Sequence, residues 1–453
     1  MKHPMTPNRL ATIALLALWG GLPGGARGDQ APAPAPEDSL LAALVQEALA
    51  KNPAVKAADE ALQGARFRPD QVRSLPNPML SVQYTNDGVE PSLGQQDMTT
   101  LAFMWSQDVP FPGKRGLRRD ILSREADQVQ QQLDRVKLGV TASVKRAYYG
   151  LLLARDLLGV VREQEGIWKQ IEGIARARYS VGQATQQDVL RVQIEVTRVE
   201  QRRAEQDLQI LIRLAELNQL LDRPLESPLA TTSRLVPRTV DRDLGAWLET
   251  ARGVSPEMKS ASLAVERDRL GVKLARKEFR PDLTFEAGYM NRGGLDPMWQ
   301  AGVGLSLPLY RKRPSNGLSE AQARLRATER GVEAVQLLLR FRTQERVAQI
   351  KTTERIAGLY GQSIIPQDQL SVDAAISNYQ VGKIPFVTVL EALATLYSDR
   401  STYLGLLANH EMLRASLEEA SLEAGPAMAG GLPTAIGAMG AAASDAQVSG
   451  VMK

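Results

Sequence analysis

One stretch occurs twice in this chain, and its repetition limits the folds available. Arg178 to Leu190 reads RYSVGQATQQDVL, and Asn378 to Leu390 reads NYQVGKIPFVTVL. Both copies carry Tyr-x-Val-Gly and then a Val-Leu pair (Val189-Leu190, Val389-Leu390). Long apolar-periodic segments with few prolines bracket each copy. The local chemistry is that of a helix ending in a left-handed glycine (Gly182, Gly382), with a second helix starting a few residues later. Such a turn reverses the chain at the end of a helical hairpin. Two of them predict a duplicated architecture.

The flanking segments support long hairpins. From about Gly116 to Arg178 no proline interrupts the chain. Val129, Leu133, Val136, Val140, Ala147, Leu151, Ala154, Leu158, Val161 and Trp168 recur there at steps of mainly three and four, which is a coiled-coil seam. The returning helix carries Val189, Val192, Val196, Val199, Ile210, Leu214, Leu217 and Leu221. The second half offers a matching pair, about Leu318 to Ser377 with a kink expected at Pro366, and about Phe386 to Leu422. Shorter helices precede each hairpin. The first half has one beginning near Ser39, a break at Asn52-Pro53 and another over about Ala54 to Phe67. The second half has one at Trp247 to Ala251, a break at Ser255-Pro256 and another over Met258 to Phe279.

Between the short and long helices of each half lie alternating segments. Leu80, Val82 and Tyr84 alternate with Ser81, Gln83 and Thr85, and after a loop Leu101, Phe103 and Trp105 alternate with Ala102, Met104 and Ser106. In the second half Leu283, Phe285, Ala287 and Tyr289 alternate with Asp282, Thr284, Glu286 and Gly288. Across an expected turn at Asn291 to Pro297, Trp299, Ala301, Val303, Leu305 and Leu307 alternate with Gln300, Gly302, Gly304 and Ser306. Strands of about ten residues cross a bilayer when tilted. An apolar face with aromatic ends and an opposite polar or small face fit lipid outside and water inside, although a soluble sandwich hairpin shows the same alternation. Four strands cannot close a barrel, so a membrane barrel would need several copies. Prolines 110, 112, 308 and 314 mark the hand-over from strand to helix.

The ends and the composition narrow the setting. Lys2, His3 and Arg9 precede a short apolar core, Leu10 to Trp19, and Ala26-Arg27-Gly28 is a small-x-small cleavage site; residues 1–28 read as a secretory signal, with an uncleaved anchor as the other reading. Residues 29–38 form a Pro/Ala linker, and 424–453 read as a disordered tail. The expected divisions between these are a first repeat over 39–222, a connector over 223–243 and a second repeat over 244–423. Hairpins fall at about 79–109 and 282–309, with helical tips at about 179–187 and 379–386. The chain has no Cys, and its two histidines are His3 and His410, which leaves little for nucleophilic or acid–base chemistry; the chain reads as no enzyme. The net charge of +4 is small and interspersed, and argues against nucleic acid.

The signal, the duplicated helix–hairpin–long-helix order and the two Tyr-x-Val-Gly turns, with Asp188-Val189-Leu190 and Val389-Leu390-Glu391 after them, resemble TolC-type outer-membrane efflux channels. The resemblance covers about Ser39 to Glu423. It implies a mainly α fold with a membrane β-barrel part: a homotrimer whose four strands per protomer close a twelve-stranded outer-membrane barrel, continuous with a coiled-coil α-barrel across the periplasm. Within that group Asp108 to Arg115 (DVPFPGKR) and Gly382 to Phe386 (GKIPF) resemble the outer-membrane components of heavy-metal efflux systems of the resistance-nodulation-division class. Outer-membrane channels of drug efflux or type I protein secretion share the architecture and stay open as alternatives.

The resemblance implies partners: a periplasmic adaptor, an inner-membrane pump of that class and outer-membrane lipid. It calls for no cofactor. Asp188 matches an acidic position that narrows the periplasmic entrance, and Glu391 a second one; the pattern departs at Thr388, often Asp, and at Ile384, where some members carry a gating Arg. Asp188 also reads as a plain helix N-terminal residue favoured by the dipole. Tyr179, Val181, Gly182, Tyr379, Val381, Gly382 and Lys383 fall where the adaptor would touch, and also serve simply to make the turns. Ser81, Gln83, Thr85, Glu286 and Gln300 are expected to line the barrel lumen. No metal site is expected: Met79, Met98, Met104, Met290 and Met298 read as barrel packing, with thioether ligation as the other reading.

Overall fold

The computed structural model describes residues 39–93, 97–231 and 233–420. The expected signal peptide, the Pro/Ala linker and the tail lie outside the described residues. The chain runs through the same order twice. Helices α1 (Ser39–Lys51) and α2 (Pro53–Arg73) lead to strands β1 (Met79–Thr85) and β2 (Thr100–Val109). The long α3 (Lys114–Ser180) and its return α4 (Gln186–Leu220) follow. In the second half α5 (Leu244–Val254) and α6 (Pro256–Lys277) lead to β3 (Asp282–Arg292) and β4 (Leu295–Ser306). Then come α7 (Lys312–Leu359), a π-helical turn (Tyr360–Ile364), α8 (Ile365–Gln380) and α9 (Phe386–Glu418).

Local chemistry sets the breaks. Asn52 caps α2 by accepting from the Ala54 N–H at 2.9 Å, with Pro53 in the first turn where its missing N–H costs nothing. Ser255 does the same for α6 at Met258, again ahead of a proline. The 67 residues of α3 extend roughly 100 Å. The α7–π–α8 column is of about the same length, with no break at Pro366, which falls in the first turn of α8 just past the π-helical turn. A π turn absorbs the backbone group that proline leaves unpaired and keeps the column continuous. Helix α2 also runs past the expected end at Phe67, through Pro69, to Arg73.

Among the described residues, the two largest of four buried apolar clusters lie along the column. Near the middle, α1, α2, α3 and α4 bury Leu41, Leu44, Leu62, Tyr148, Leu151, Leu217 and Leu221. Towards the tips, α3, α4, α8 and α9 bury Trp168, Ile171, Val192, Val199, Val372, Phe386, Val389 and Leu393. The second of these joins the two hairpins side by side. The connector has little regular structure but is pinned: the Leu235 N–H donates to Asp156 Oδ2 at 3.0 Å and the Val240 N–H to Glu354 Oε1 at 2.7 Å.

The strands form one antiparallel sheet in the order β1-β2-β3-β4, so the two hairpins meet through β2 and β3. The turn between β3 and β4 is shorter than the sequence suggested. Asn291 and Arg292 stay in β3, and Leu295 to Pro297 belong to β4. The Asn291 side chain accepts from the Gly293 N–H at 2.7 Å, and Gly293 takes φ +65°, which closes the turn in two residues. Pro297 falls at the register shift between Met290 and Arg292, where it has no partner on β3 and its missing N–H breaks no pair with that strand.

Candidate channel gate and lumenal face

The register sorts the strand residues into two faces. Rows across the sheet read Leu80–Trp105–Ala287–Ala301 and Val82–Phe103–Tyr289–Trp299 on one side, and Ser81–Met104–Gly288–Gln300 on the other. The first side is apolar and open: Leu80, Val82, Tyr289, Trp299 and Val303 are all at least half exposed. A contiguous apolar face of this extent marks a surface meant for a non-aqueous environment. Ser81, Gln83, Thr85, Glu286 and Gln300 share the opposite face.

At the junction of sheet and helices, Lys114 of the FPGKR stretch is buried. Its ammonium bonds Glu278 at 3.0 Å, Asp282 at 3.0 Å and the Arg280 carbonyl at 3.3 Å. It thereby ties the start of α3 to the end of α6 and to β3 across the two halves. The sequence singled out this stretch as a resemblance without a role for the lysine.

The tips lie at the far end of α3 and α8 from the sheet. In the first, the Gly182 N–H donates to the Tyr179 carbonyl at 3.0 Å and the Gln183 N–H to the Arg178 carbonyl at 2.8 Å; in the second, Gly382 and Lys383 do the same to Tyr379 and Asn378, at 3.0 and 2.9 Å. Both are Schellman turns, and Gly182 and Gly382 have φ of +74° and +77°, a region that favours glycine. Val181, Val381, Lys383 and Tyr179 are exposed at the tips. Tyr379 differs: it is 2% exposed, because its ring packs on Phe386, 5.6 Å between centroids, within the inter-hairpin core. Its place is that core rather than an outward contact surface.

Asp188 closes a capping box at the start of α4. Its carboxylate accepts from the Thr185 N–H at 3.3 Å, while the Thr185 hydroxyl accepts from the Asp188 N–H at 3.2 Å. Burial, reinforced by the Asp188 carboxylate, raises the Tyr379 phenol above its ordinary pKa against the opposing Arg178. Thr388 and Glu391 are both exposed, three residues apart and so neighbours on one side of α9.

Arg178 was not anticipated from the sequence. One guanidinium nitrogen donates to the Gln183 carbonyl at 2.8 Å and the other to the Tyr379 carbonyl, while the group lies 4.5 Å above the Tyr379 ring. It staples the two tips to each other, and Asn378 stands at the matching place in the second copy. An arginine in a Val-Gly hairpin looks like a surface charge until its partner two hundred positions away is seen.

Further up, His410 is buried between α7, α9 and the connector. Its ring nitrogens meet Glu354 at 3.0 Å and Glu411 at 3.3 Å, with Arg238 3.8 Å and Arg414 3.4 Å from Glu411. Burial favours the neutral ring, but the bonds to Glu411 and Glu354 outweigh it and hold His410 above its ordinary pKa. Among the described residues no group of three or more His, Cys, Asp and Glu is placed to hold a metal ion, and no helix is long and apolar enough to cross a membrane.

With this geometry in view, the profile of the outer membrane efflux protein family matches residues 44–223 and 247–421, one match per half. The chain belongs to the outer membrane efflux protein family. It is an outer-membrane efflux channel that reaches into the periplasm, and not an enzyme. Among its relatives, the cobalt-zinc-cadmium resistance protein CzcC of Cupriavidus metallidurans is 23% identical over 354 residues, covering 74% of this chain and 79% of that one. The alkaline protease secretion protein AprF of Pseudomonas aeruginosa is 26% identical over 209 residues, 44% of this chain and 42% of that one. A crystal structure of CusC, described in terms of transmembrane channel formation, superposes with a TM-score of 0.72 at 18% identity, over 84% of this chain and 92% of that one. The fold is thus the TolC-like one that the sequence suggested.

Proposed function

We propose that three copies of this chain close a twelve-stranded barrel and act as the exit duct of a tripartite pump for heavy-metal cations. The observation that carries the trimer is the four-stranded sheet with free edges at β1 and β4 and a wide apolar face. In lipid an open edge leaves backbone groups unpaired, at several kcal/mol each, so β4 of one copy must pair with β1 of the next. Outer-membrane lipid covers the apolar face. Ser81, Gln83, Thr85, Glu286 and Gln300 keep the lumen wet, and the protein conducts without chemistry of its own.

The tips form the periplasmic mouth. Tyr179, Val181, Gly182, Val381, Gly382 and Lys383 face a periplasmic adaptor, which couples the duct to an inner-membrane pump of the resistance-nodulation-division class. Asp188, Thr388 and Glu391 border the entrance, and three Asp188 carboxylates brought together would repel unless spread or bound by cations. Arg178 holds the second hairpin against the first in the narrow state. The likeness to CzcC supports the metal reading. The likeness to AprF supports protein secretion as the second reading.

The purified protein, unheated in detergent, is expected to run as a trimer and to conduct in planar bilayers. A monomer without conductance would sink the duct. Deleting the gene is expected to lower tolerance to cobalt, zinc or cadmium; unchanged metal tolerance with a loss of drug tolerance or of a secreted protein would overturn the substrate assignment.

A further inference from the structure

The strands contain four methionines, Met79, Met104, Met290 and Met298, and all four lie on the polar face. In the paired rows, that face otherwise carries Ser, Thr, Gln, Asp, Glu, Gly and Ala, with Arg292 and Leu295 beside the β3–β4 turn. The other Leu side chains and the Val, Phe, Tyr and Trp side chains of those rows fall on the opposite face. A methionine retained only as a lipid-facing or packing hydrophobe would sort with leucine. These sort with glutamine and serine.

Three of them lie in two adjoining rows of that face, one row holding Met104 and Gly288 and the next Met290 and Met298. Met290 and Met298 are direct cross-strand partners, so their side chains start about 5 Å apart. Met104 pairs with Gly288, and its thioether lies over that residue, in the space a Cβ at 288 would need. The Met104 sulfur reaches 3.3 Å from Gln300 Nε2 on β4, the strand that carries Met298. The missing side chain at Gly288 thus lets the β2 thioether cross β3 as far as Gln300 on β4, two positions from Met298. Glu286, in the adjoining row, places a carboxylate on the same face.

We propose that Met104, Met290 and Met298 form a thioether site for a soft monovalent cation, Cu(I) or Ag(I), on the wall of the duct. Thioethers are soft ligands that select such ions over hard ones, and the site needs neither His nor Cys. Its shallow, exposed setting suits an ion that must bind and leave, as conduction requires. The proposal rests on the polar face being the lumen.

The test is equilibrium dialysis of the purified protein in detergent against silver nitrate in chloride-free buffer, with bound silver counted by mass spectrometry. The comparison is a Met104→Leu/Met290→Leu/Met298→Leu variant, whose swaps conserve volume. The expected result is at least tenfold weaker silver binding in the triple variant. Gly288→Ala, whose Cβ would take the place of the Met104 sulfur and press on Gln300 Cγ at 3.1 Å, is expected to fall between, and it serves alone if the triple variant does not assemble. Wild-type silver binding no tighter than that of either variant overturns the proposal. Conductance in nitrate without silver, measured on the same samples, tests the duct itself, so failure of the duct and failure of the site are read separately.

Discussion

Replacing Arg178 by Met should loosen the tip without unfolding the column. Methionine keeps most of the apolar stem and removes both guanidinium contacts. The bond to the Gln183 carbonyl lies within the first turn, so only the bond to the Tyr379 carbonyl and the contact with its ring join the two hairpins. A hydrogen bond from a charged donor contributes about 1.5 kcal/mol at the low end, suited to a half-exposed group. The cation–ring contact adds about 0.5–1 kcal/mol. Together they favour the joined state by about 2 kcal/mol per protomer, which at about 1.4 kcal/mol per factor of ten is roughly a thirtyfold change in the ratio of joined to separated tips. The assay is single-channel conductance of purified protein in planar bilayers. Arg178→Met is expected to raise the conductance or the open fraction, and Arg178→Lys to fall between, since an ammonium reaches one carbonyl but lacks the planar fork. The aromatic core of Trp168, Tyr379 and Phe386 stays in place, so the melting temperature should change by no more than a few degrees. An intact Arg178→Met trimer that conducts like the wild type would refute the staple.

Three further outcomes follow from the geometry. His410 is held above its ordinary pKa of 6.5 by Glu354 and Glu411, so its stabilising contribution is complete below about that pH and lost as pH rises through the raised value. The melting temperature of the wild type should therefore fall relative to His410→Gln between neutral and alkaline pH; parallel curves would show that His410 stays neutral. Gly182→Ala should cost about 1–2 kcal/mol from its positive φ alone, since nothing lies within 4 Å of the new Cβ, and Gly382→Ala more, because its Cβ would stand 3.2 Å from Arg178 Nη2. Faster proteolysis at the tips reports both, and equal rates would argue against the contact. Val82→Arg should destabilise by about 2–4 kcal/mol in vesicle refolding, whereas Gln83→Arg, on the other face, should cost far less. Similar costs at both positions would mean that the faces do not divide lipid from water.

The strands were legible because two different solvents act on their two faces, and a period of two records that sorting residue by residue. The hairpins were legible for a related reason: a seam of the length of α3 admits no other packing, and the glycines at 182 and 382 mark its reversal. What the sequence left open lies in contacts that close over long separations. Lys114 finds Glu278 and Asp282 in the other half, and Arg178 finds Tyr379 there too. Nothing local distinguishes either side chain from a solvated charge. Helix ends were also hard to place: α2 continues beyond Phe67 through Pro69 to Arg73, and the irregularity expected at Pro366 takes the form of a π turn just before it. The consequence is functional. Duplication builds two equivalent hairpins, but the side chains that join them are not duplicated: Asn378 cannot return the grip of Arg178. In the proposed trimer two unlike tips would alternate around the mouth, and the hairpin to move on opening would be the one that Arg178 releases.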